Sequence, residues 1–217
     1  MKVTREMSSR VRIWDAPTRL VHWLLVVLVA FSWWTAEEGH LEWHRYSGFG
    51  LLGLVLFRIY WGFVGSQSSR FAHFVKGPGS IVAYLRGASV AEPGHNPLGA
   101  LSVLALLVLL LTQISLGLFA VDVDGIESGP LSHLVSFDVG RQCAEIHEWI
   151  FNALMVFTAL HVAAILYYLL LRRDNLIGPM ITGFKTWSSA SSLKFASWWR
   201  VLPGAAISAA IVWYIVK

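Results

Sequence analysis

Several stretches of the chain run for about 18 residues or more without a charged side chain, and these stretches constrain the fold more than any other feature. A helix needs about 20 mainly apolar residues to cross the hydrocarbon core of a bilayer. Charged residues make up only 14% of the 217 residues, whereas soluble domains usually contain about 25%. We therefore predict an all-α integral membrane protein, built as a helical bundle.

Four segments are predicted to span the membrane: 20–36, 45–64, 98–121 and 147–172. A fifth segment, 199–216, is shorter, has Pro203 near its start, and either spans or lies at the interface. The first segment lacks a small-residue cleavage site, which favours an uncleaved span over a signal peptide. We expect a cytoplasmic tail over 1–19, a membrane domain over 20–185, and a Ser-rich connector with a C-terminal membrane helix over 186–217.

Basic and acidic residues are predicted to lie on opposite sides of the membrane. Thirteen of the 17 basic residues fall in the tail and in the connections on its side: Lys2, Arg5, Arg10, Arg12, Arg19, Arg70, Lys76, Arg86, Arg172, Arg173, Lys185, Lys194 and Arg200. Nine of the 13 acids fall on the other side: Glu37, Glu38, Glu42, Asp122, Asp124, Glu127, Asp138, Glu145 and Glu148. The Lys/Arg bias predicts a multi-pass membrane protein with a cytoplasmic N-terminus. It also explains the pI near 9.4, so we expect lipid rather than nucleic acid as a partner.

The chain has a single cysteine, Cys143. One thiol cannot form an intramolecular disulfide or a cysteine-ligated zinc or iron–sulfur site. The Cys-x-x-Cys-His attachment motif of covalent haem is also absent from the sequence.

Four of the eight histidines fall within or at the ends of the predicted spans: His22, His44, His147 and His161. An ionisable side chain at this depth is costly unless it faces the bundle interior and finds a partner, although a single one often only bonds a neighbouring helix. His147 and His161 are 14 residues apart, a rise of about 21 Å and a rotation that returns to within about 40°. They therefore lie on one side of their helix at two depths. The second and fourth spans enter from the acidic side and the first span enters from the basic side. The four residues thus form an outer pair, His44 and His147, and an inner pair, His22 and His161.

Two facing imidazoles can hold a haem iron from both sides, an arrangement without an open site that suits electron transfer. Two such haems would lie about 20 Å apart along the membrane normal. The inner pair requires helix tilt or a projecting fourth span, because His22 lies near the end of its span and His161 about ten residues before the end of its own. His40 competes with His44, which we prefer because it adjoins the apolar run.

Glycines near the histidines allow two interpretations. Gly48, Gly50 and Gly53 follow His44 on the second span, and Gly117 lies on the third. They either leave room for a haem or let the helices pack closely.

The ordered segments "VRIWDAPTRLVHWLL", "EWHRYSGFGLLGLVLFRIYWGFVG", "GHNPLGALSVLALL" and "IHEWIFNALMVFTALHVAAILYYLL" resemble bacterial b561-type cytochromes, kin of the b-type cytochrome subunit of nickel–iron hydrogenases. The resemblance covers roughly residues 11–185. It implies a four-helix core in the bacterial inner membrane that holds two b haems through His22, His44, His147 and His161. It also implies basic residues at the haem propionates: Arg19 and Arg58 for the inner haem, and Arg45 or Arg141 for the outer one. The alternative for Arg19 and Arg58 is that their side chains reach lipid phosphate.

We expect this chain to transfer electrons between the membrane quinone pool and a periplasmic redox protein, either a c-type cytochrome or a hydrogenase-like partner. It would act alone or as a subunit of an oxidoreductase. Acidic outer loops would steer a basic partner. Thr112, Gln113 and Asn152 either line a quinone pocket or bond between helices.

Two other functions compete with electron transfer. One is a superoxide:quinone oxidoreductase-like haem enzyme, which the acidic outer face disfavours because its substrate is an anion. The other is a histidine proton or metal path in a transporter, which usually adds carboxylates that the span interiors lack.

Overall fold

The computed structural model describes residues 9–88, 94–124, 126–187 and 193–217. Within them the elements are β1 (Ser9–Arg12), α1 (Ala16–Glu37), α2 (Leu41–Val64), α3 (Phe71–Phe74), α4 (Pro78–Leu85), α5 (Pro97–Phe119), α6 (Phe137–Leu170), α7 (Ile177–Thr182), β2 (Phe184–Trp187) and α8 (Val201–Val216). The first eight residues of the predicted tail and residues 188–192 of the predicted connector lie outside the described residues.

Five helical segments are long and apolar enough to cross a membrane, which confirms the predicted all-α membrane fold. The fifth consists of α8 and the 3₁₀ turn before it. The largest difference from the predicted boundaries is α6, which has 34 residues. At 1.5 Å per residue it is about 51 Å long, whereas the hydrocarbon core is about 30 Å thick, so α6 projects beyond the bilayer.

Local capping residues set where the long helices begin. The Asp15 carboxylate accepts the backbone N–H of Thr18 at 2.8 Å and starts α1 four residues earlier than predicted. The Asn96 side chain accepts the N–H of Gly99 at 2.7 Å at the start of α5. Pro17 and Pro97 follow these caps at the first helical turn, where a missing N–H costs nothing.

Helix α2 lies at the centre of the bundle. It forms an antiparallel pair with α1, contacts α5, and packs on α8, while α5 pairs with α6. The buried apolar cluster joins α2, α5 and α6 through Leu51, Leu52, Val55, Leu110, Ile114 and Leu154. Gly204 lets α8 approach Phe57 of α2, because a Cβ there would lie 3.2 Å from that ring.

We call the end of the bundle where α1, α5 and α8 begin the basic face, and the opposite end the acidic face. The basic face contains an element that the sequence did not predict. Strand β1 pairs antiparallel with β2, with Ser9 opposite Trp187 and Arg12 opposite Phe184. The N–H groups of Ile13 and Trp14 both donate to the Gly183 carbonyl, at 2.8 and 3.2 Å. From Ser9 onward the segment predicted as a tail is therefore folded against the membrane domain.

Candidate functional site

The predicted outer pair, His44 and His147, lies between α2 and α6 toward the acidic face. Their ring centroids are 6.1 Å apart and the ring planes are inclined by 78°. When two imidazoles bind one metal from opposite sides, each metal–nitrogen bond is about 2 Å long. Adding the distance from each nitrogen to its ring centre puts the two ring centroids roughly 6 Å apart. The structure therefore brings these two side chains to the spacing that one iron ion between them requires.

Both rings are oriented by backbone carbonyls of the neighbouring helix. His44 Nδ1 lies 2.9 Å from the Ser32 carbonyl of α1, and His147 Nδ1 lies 2.9 Å from the Gln113 carbonyl of α5. A carbonyl only accepts, so each Nδ1 carries the proton and each Nε2 keeps a lone pair for a metal. This is the tautomer that a ligating histidine adopts.

A cavity of about 420 Å³ surrounds this pair, lined by residues of α1, α2, α5 and α6. Gly48 lines it, and a Cβ at Gly48 would meet nothing within 4 Å. A Cβ at Gly117 would lie 3.0 Å from the His147 ring. Gly50 and Gly53 instead face Leu28 and Val212 at 3.0 and 3.7 Å. The glycines thus divide into two that shape the cavity and two at helix–helix contacts.

His40 and His44 occupy different places at the start of α2. His40 precedes the first residue of the helix, and its ring centroid is 6.1 Å from that of Trp34. His44 faces His147 across the cavity. The geometry favours His44, as the sequence did.

The polar residues near this cavity have distinct partners. Arg45 lines the cavity and forms an ion pair with Glu127 at 3.1 Å, whereas Arg141 donates to the Val121 carbonyl at 2.9 Å. Gln113 lines the cavity, and its buried Oε1 has no partner among the described residues. Asn152 is exposed and donates to the carbonyl of Glu148 in its own helix.

This distribution bears on the predicted quinone pocket. Gln113 lines the histidine cavity, while the Asn152 side chain makes its hydrogen bond within α6. Gln113 and Asn152 therefore have different surroundings in the described part of the chain, and the quinone pocket of Thr112, Gln113 and Asn152 stays a prediction.

The predicted inner pair, His22 and His161, lies toward the basic face. His161 Nδ1 is 3.2 Å from the Ser102 hydroxyl of α5. His22 Nδ1 has no hydrogen-bond partner among the described residues. The two histidines are close enough to interact electrostatically.

The helix boundaries resolve the difference in depth that the sequence suggested. His22 lies six residues into α1, and Ser102, the partner of His161, lies five residues into α5. Both are therefore about 8–9 Å from the helix starts at the basic face. The mismatch arises because α1 begins four residues earlier than predicted, which places His22 deeper in its helix.

The arginines at the basic face lie in two environments. Arg58 is buried, with 7% of its surface exposed, and donates to the Ser69 carbonyl at 3.3 Å. Within the described ranges no carboxylate lies at ion-pair distance from it, although the buried Asp15 carboxylate interacts with it electrostatically. An anionic ligand group would neutralise its charge further. Arg19 donates to the Ile181 carbonyl, and its Nε is buried without a partner in the described part of the chain.

His95 lies in the connection before α5 and was not among the predicted site residues. Its ring centroid lies 4.7 Å from that of Trp14 and 4.5 Å from that of Phe74. Burial, with smaller contributions from Arg58 and His161, lowers the pKa of His95 to about 3. The signal that points to it is the Asn-Pro cap directly after it, which fixes its position at the start of α5.

The donor set fits a haem. In the described ranges no three His, Cys, Asp or Glu side chains converge as a metal site. A porphyrin supplies four nitrogens itself, so two facing imidazoles suffice to complete the coordination of its iron. The facing rings, the cavity and the glycines beside it meet this requirement at the acidic face.

In the described ranges five helices are long and apolar enough to cross a membrane, and four of them line the cavity that holds the half-buried histidine pair. These features define a multi-pass helical membrane protein. The family model described as prokaryotic cytochrome b561 matches residues 13–183. The chain belongs to this family and is a transmembrane b-type cytochrome of electron transfer, which confirms the resemblance inferred from the sequence. The match ends before β2 and α8. No curated protein and no solved structure matches the chain.

Proposed function

We propose that this chain binds two b haems, one at each histidine pair, and carries electrons between the quinone pool and a periplasmic redox partner. The observation that carries the proposal is the geometry of His44 and His147, whose rings are 6.1 Å apart with both Nδ1 atoms on helix carbonyls. When bound, haem b with two imidazole ligands supplies a one-electron carrier without an open coordination position.

The side chains have separate roles in this proposal. His44 and His147 hold the acidic-face haem, and His22 and His161 hold the basic-face haem. The carbonyls of Ser32 and Gln113 keep the first pair in the ligating tautomer. At the basic-face pair, the Ser102 hydroxyl keeps His161 in this tautomer through its contact with Nδ1.

Basic side chains neutralise the propionates. Arg58 serves the basic-face haem, because it is buried and has no ion pair in the described part of the chain. Arg45 serves the acidic-face haem, because it lines that cavity. Arg141 contributes less in this account, because it does not line that cavity and donates to the Val121 carbonyl. Arg19 is the second candidate at the basic face, because its Nε has no partner in the described part of the chain.

We place quinone exchange at an apolar groove between α1, α2 and α8, with a volume of about 1280 Å³. Val21 and Trp23 line it on either side of His22 in the chain, and the exposed apolar side chains of Leu20 and Leu24 border it. An isoprenoid quinone from the bilayer fits this volume and chemistry. Its headgroup would lie beside the helix that carries His22.

The acidic face supplies the docking surface for a basic periplasmic protein such as a c-type cytochrome. Its carboxylates include Glu37 and Glu42 at the helix ends and Glu127 in the connection between α5 and α6. Opposite charge raises the association rate and makes it depend on ionic strength. The same orientation puts the N-terminus in the cytoplasm, as the Lys/Arg bias indicates.

The proposal is tested with purified protein in liposomes. We expect added quinol to reduce both haems, and a basic c-type cytochrome to reoxidise them at a rate that falls with salt. Full reduction by dithionite without reduction by quinol would contradict the quinone assignment. Reoxidation at a rate independent of salt would contradict the docking surface.

A further inference from the structure

His95 is fixed between three elements at the basic face. The residue after it, Asn96, caps α5 through Gly99 at 2.7 Å and donates its side-chain N–H to the Tyr168 hydroxyl of α6 at 2.9 Å. The Tyr168 hydroxyl also bonds that of Tyr84 in α4. These bonds hold the start of α5 against its neighbours, so His95 has little freedom to move.

The position of His95 matches the edge of the proposed basic-face haem. It precedes Ser102, the partner of His161, by seven residues, which is about 10 Å toward the basic face. It interacts electrostatically with both Arg58 and His161. His95 therefore lies within electrostatic range of a buried cation and of a proposed axial ligand, on the basic-face side of His161.

The Nδ1 of His95 is shielded from solvent, and none of the described residues bonds it. A shielded ring nitrogen left in this state is destabilising. The ring itself packs against those of Trp14 and Phe74. A carboxylate that arrives from inside the bundle satisfies this nitrogen.

We propose that His95 and Arg58 together bind the propionates of the basic-face haem, with Asn96 as the positioning residue. This inference rests on the proposed function, since it requires a haem at His22 and His161. Neutral His95 donates one N–H to a carboxylate oxygen, and the Arg58 guanidinium supplies the compensating charge. His95 is not an axial ligand in this arrangement.

Loss of the hydrogen-bond donor of His95 should lower the reduction potential of the basic-face haem. A propionate without its hydrogen bond exerts more of its negative charge on the iron and stabilises the oxidised state. We expect His95→Leu to shift the equilibrium of the basic-face haem toward oxidation by up to about tenfold, or ~59 mV for one electron. His95→Gln, which keeps an N–H donor, should restore most of the wild-type potential.

The test is a redox titration of the purified full-length protein by optical and electron paramagnetic resonance spectroscopy, with the resonance Raman propionate bending mode as a second readout. The acidic-face haem serves as an internal reference. His73→Leu is the matched control, because His73 is a half-buried histidine of the short helix α3 near the same face and bonds Gln67. We expect a lowered potential and a shifted propionate mode in His95→Leu alone.

The outcomes separate this inference from the proposed function. Unchanged potential and propionate mode in His95→Leu would overturn the role of His95 while two haems remain. Loss of the basic-face haem from both His95→Leu and His95→Gln would overturn it in favour of an axial ligand. Loss from His95→Leu with retention in His95→Gln would support the hydrogen bond. Absence of that haem from wild-type protein would refute the proposed function itself.

Discussion

At the acidic face, His44 and His147 each donate to a carbonyl of the neighbouring helix, whereas at the basic face only His161 has a partner for its Nδ1 among the described residues. The basic-face region also holds buried, unpartnered nitrogens of Arg19, His95 and, within the described residues, Arg70. Each such group costs about 1–3 kcal/mol when left unbonded. Beside the acidic-face pair, Gln113 Oε1 is also buried without a partner among the described residues. The protein alone therefore orients both acidic-face imidazoles, while the basic-face site depends more on its ligand for completion.

The largest effect should follow the loss of one acidic-face ligand. We expect His147→Leu to release one haem of two and to leave the basic-face haem in place, because the two sites lie about 15–21 Å apart along the helices. Haem per chain, measured with reduced-minus-oxidised spectra, gives the result. The control is His133→Leu, since His133 is an exposed loop residue. Retention of both haems would break the assignment of His147.

Filling the acidic-face cavity tests whether its space is preformed. Gly48→Phe places a ring where a Cβ now meets nothing within 4 Å. We expect loss of the acidic-face haem with the protein still folded. Gly53→Ala is the matched control, since its Cβ makes an ordinary 3.7 Å contact with Val212. Normal haem content in Gly48→Phe would show that the cavity is not the site.

Replacing the serine beside each pair sharpens the comparison. Ser102→Ala removes the only hydrogen bond of His161 Nδ1 in the described part of the chain, and we expect it to weaken the basic-face haem by about tenfold. Ser32→Ala should change little, because His44 keeps the Ser32 carbonyl. Haem dissociation rates measured for both variants give the ratio. Equal effects would contradict the difference in preorganisation.

The smallest effect on the haem sites is expected from a substitution that blocks the apolar groove between α1, α2 and α8. Ala209→Trp should slow quinol-driven reduction by an order of magnitude while both haems remain, since Ala209 lines the groove. Ala210→Trp is the matched control, an exposed neighbour on α8 that faces elsewhere. Unaltered quinol kinetics in Ala209→Trp would place quinone exchange outside this groove.

The parts of the fold that follow from local sequence could be predicted. Hydropathy and length located the spans, and the helical repeat alone put His147 and His161 on one side of α6. The boundaries depended on caps, so Asp15 and Ser136 moved the starts of α1 and α6 outward. The depth mismatch of His22 and His161 followed from the predicted start of α1, which was four residues too late.

The missed features depend on contacts between distant segments. Strand β1 has four residues and acquires its order only by pairing with β2 at the other end of the chain. Arg19 meets Ile181, 162 residues away. His95 lies outside every span, and its enclosure requires Trp14 and Phe74 from two other segments. No local pattern encodes such contacts.

Haem content per chain of the purified, detergent-solubilised protein tests the central claim most directly. The account predicts close to two b haems per chain, with low-spin spectra that carbon monoxide does not change, because two imidazoles occupy both axial positions. One haem, or a high-spin haem that binds carbon monoxide, would contradict the two bis-histidine sites. No haem after expression with ample haem supply would refute the assignment of all four histidines.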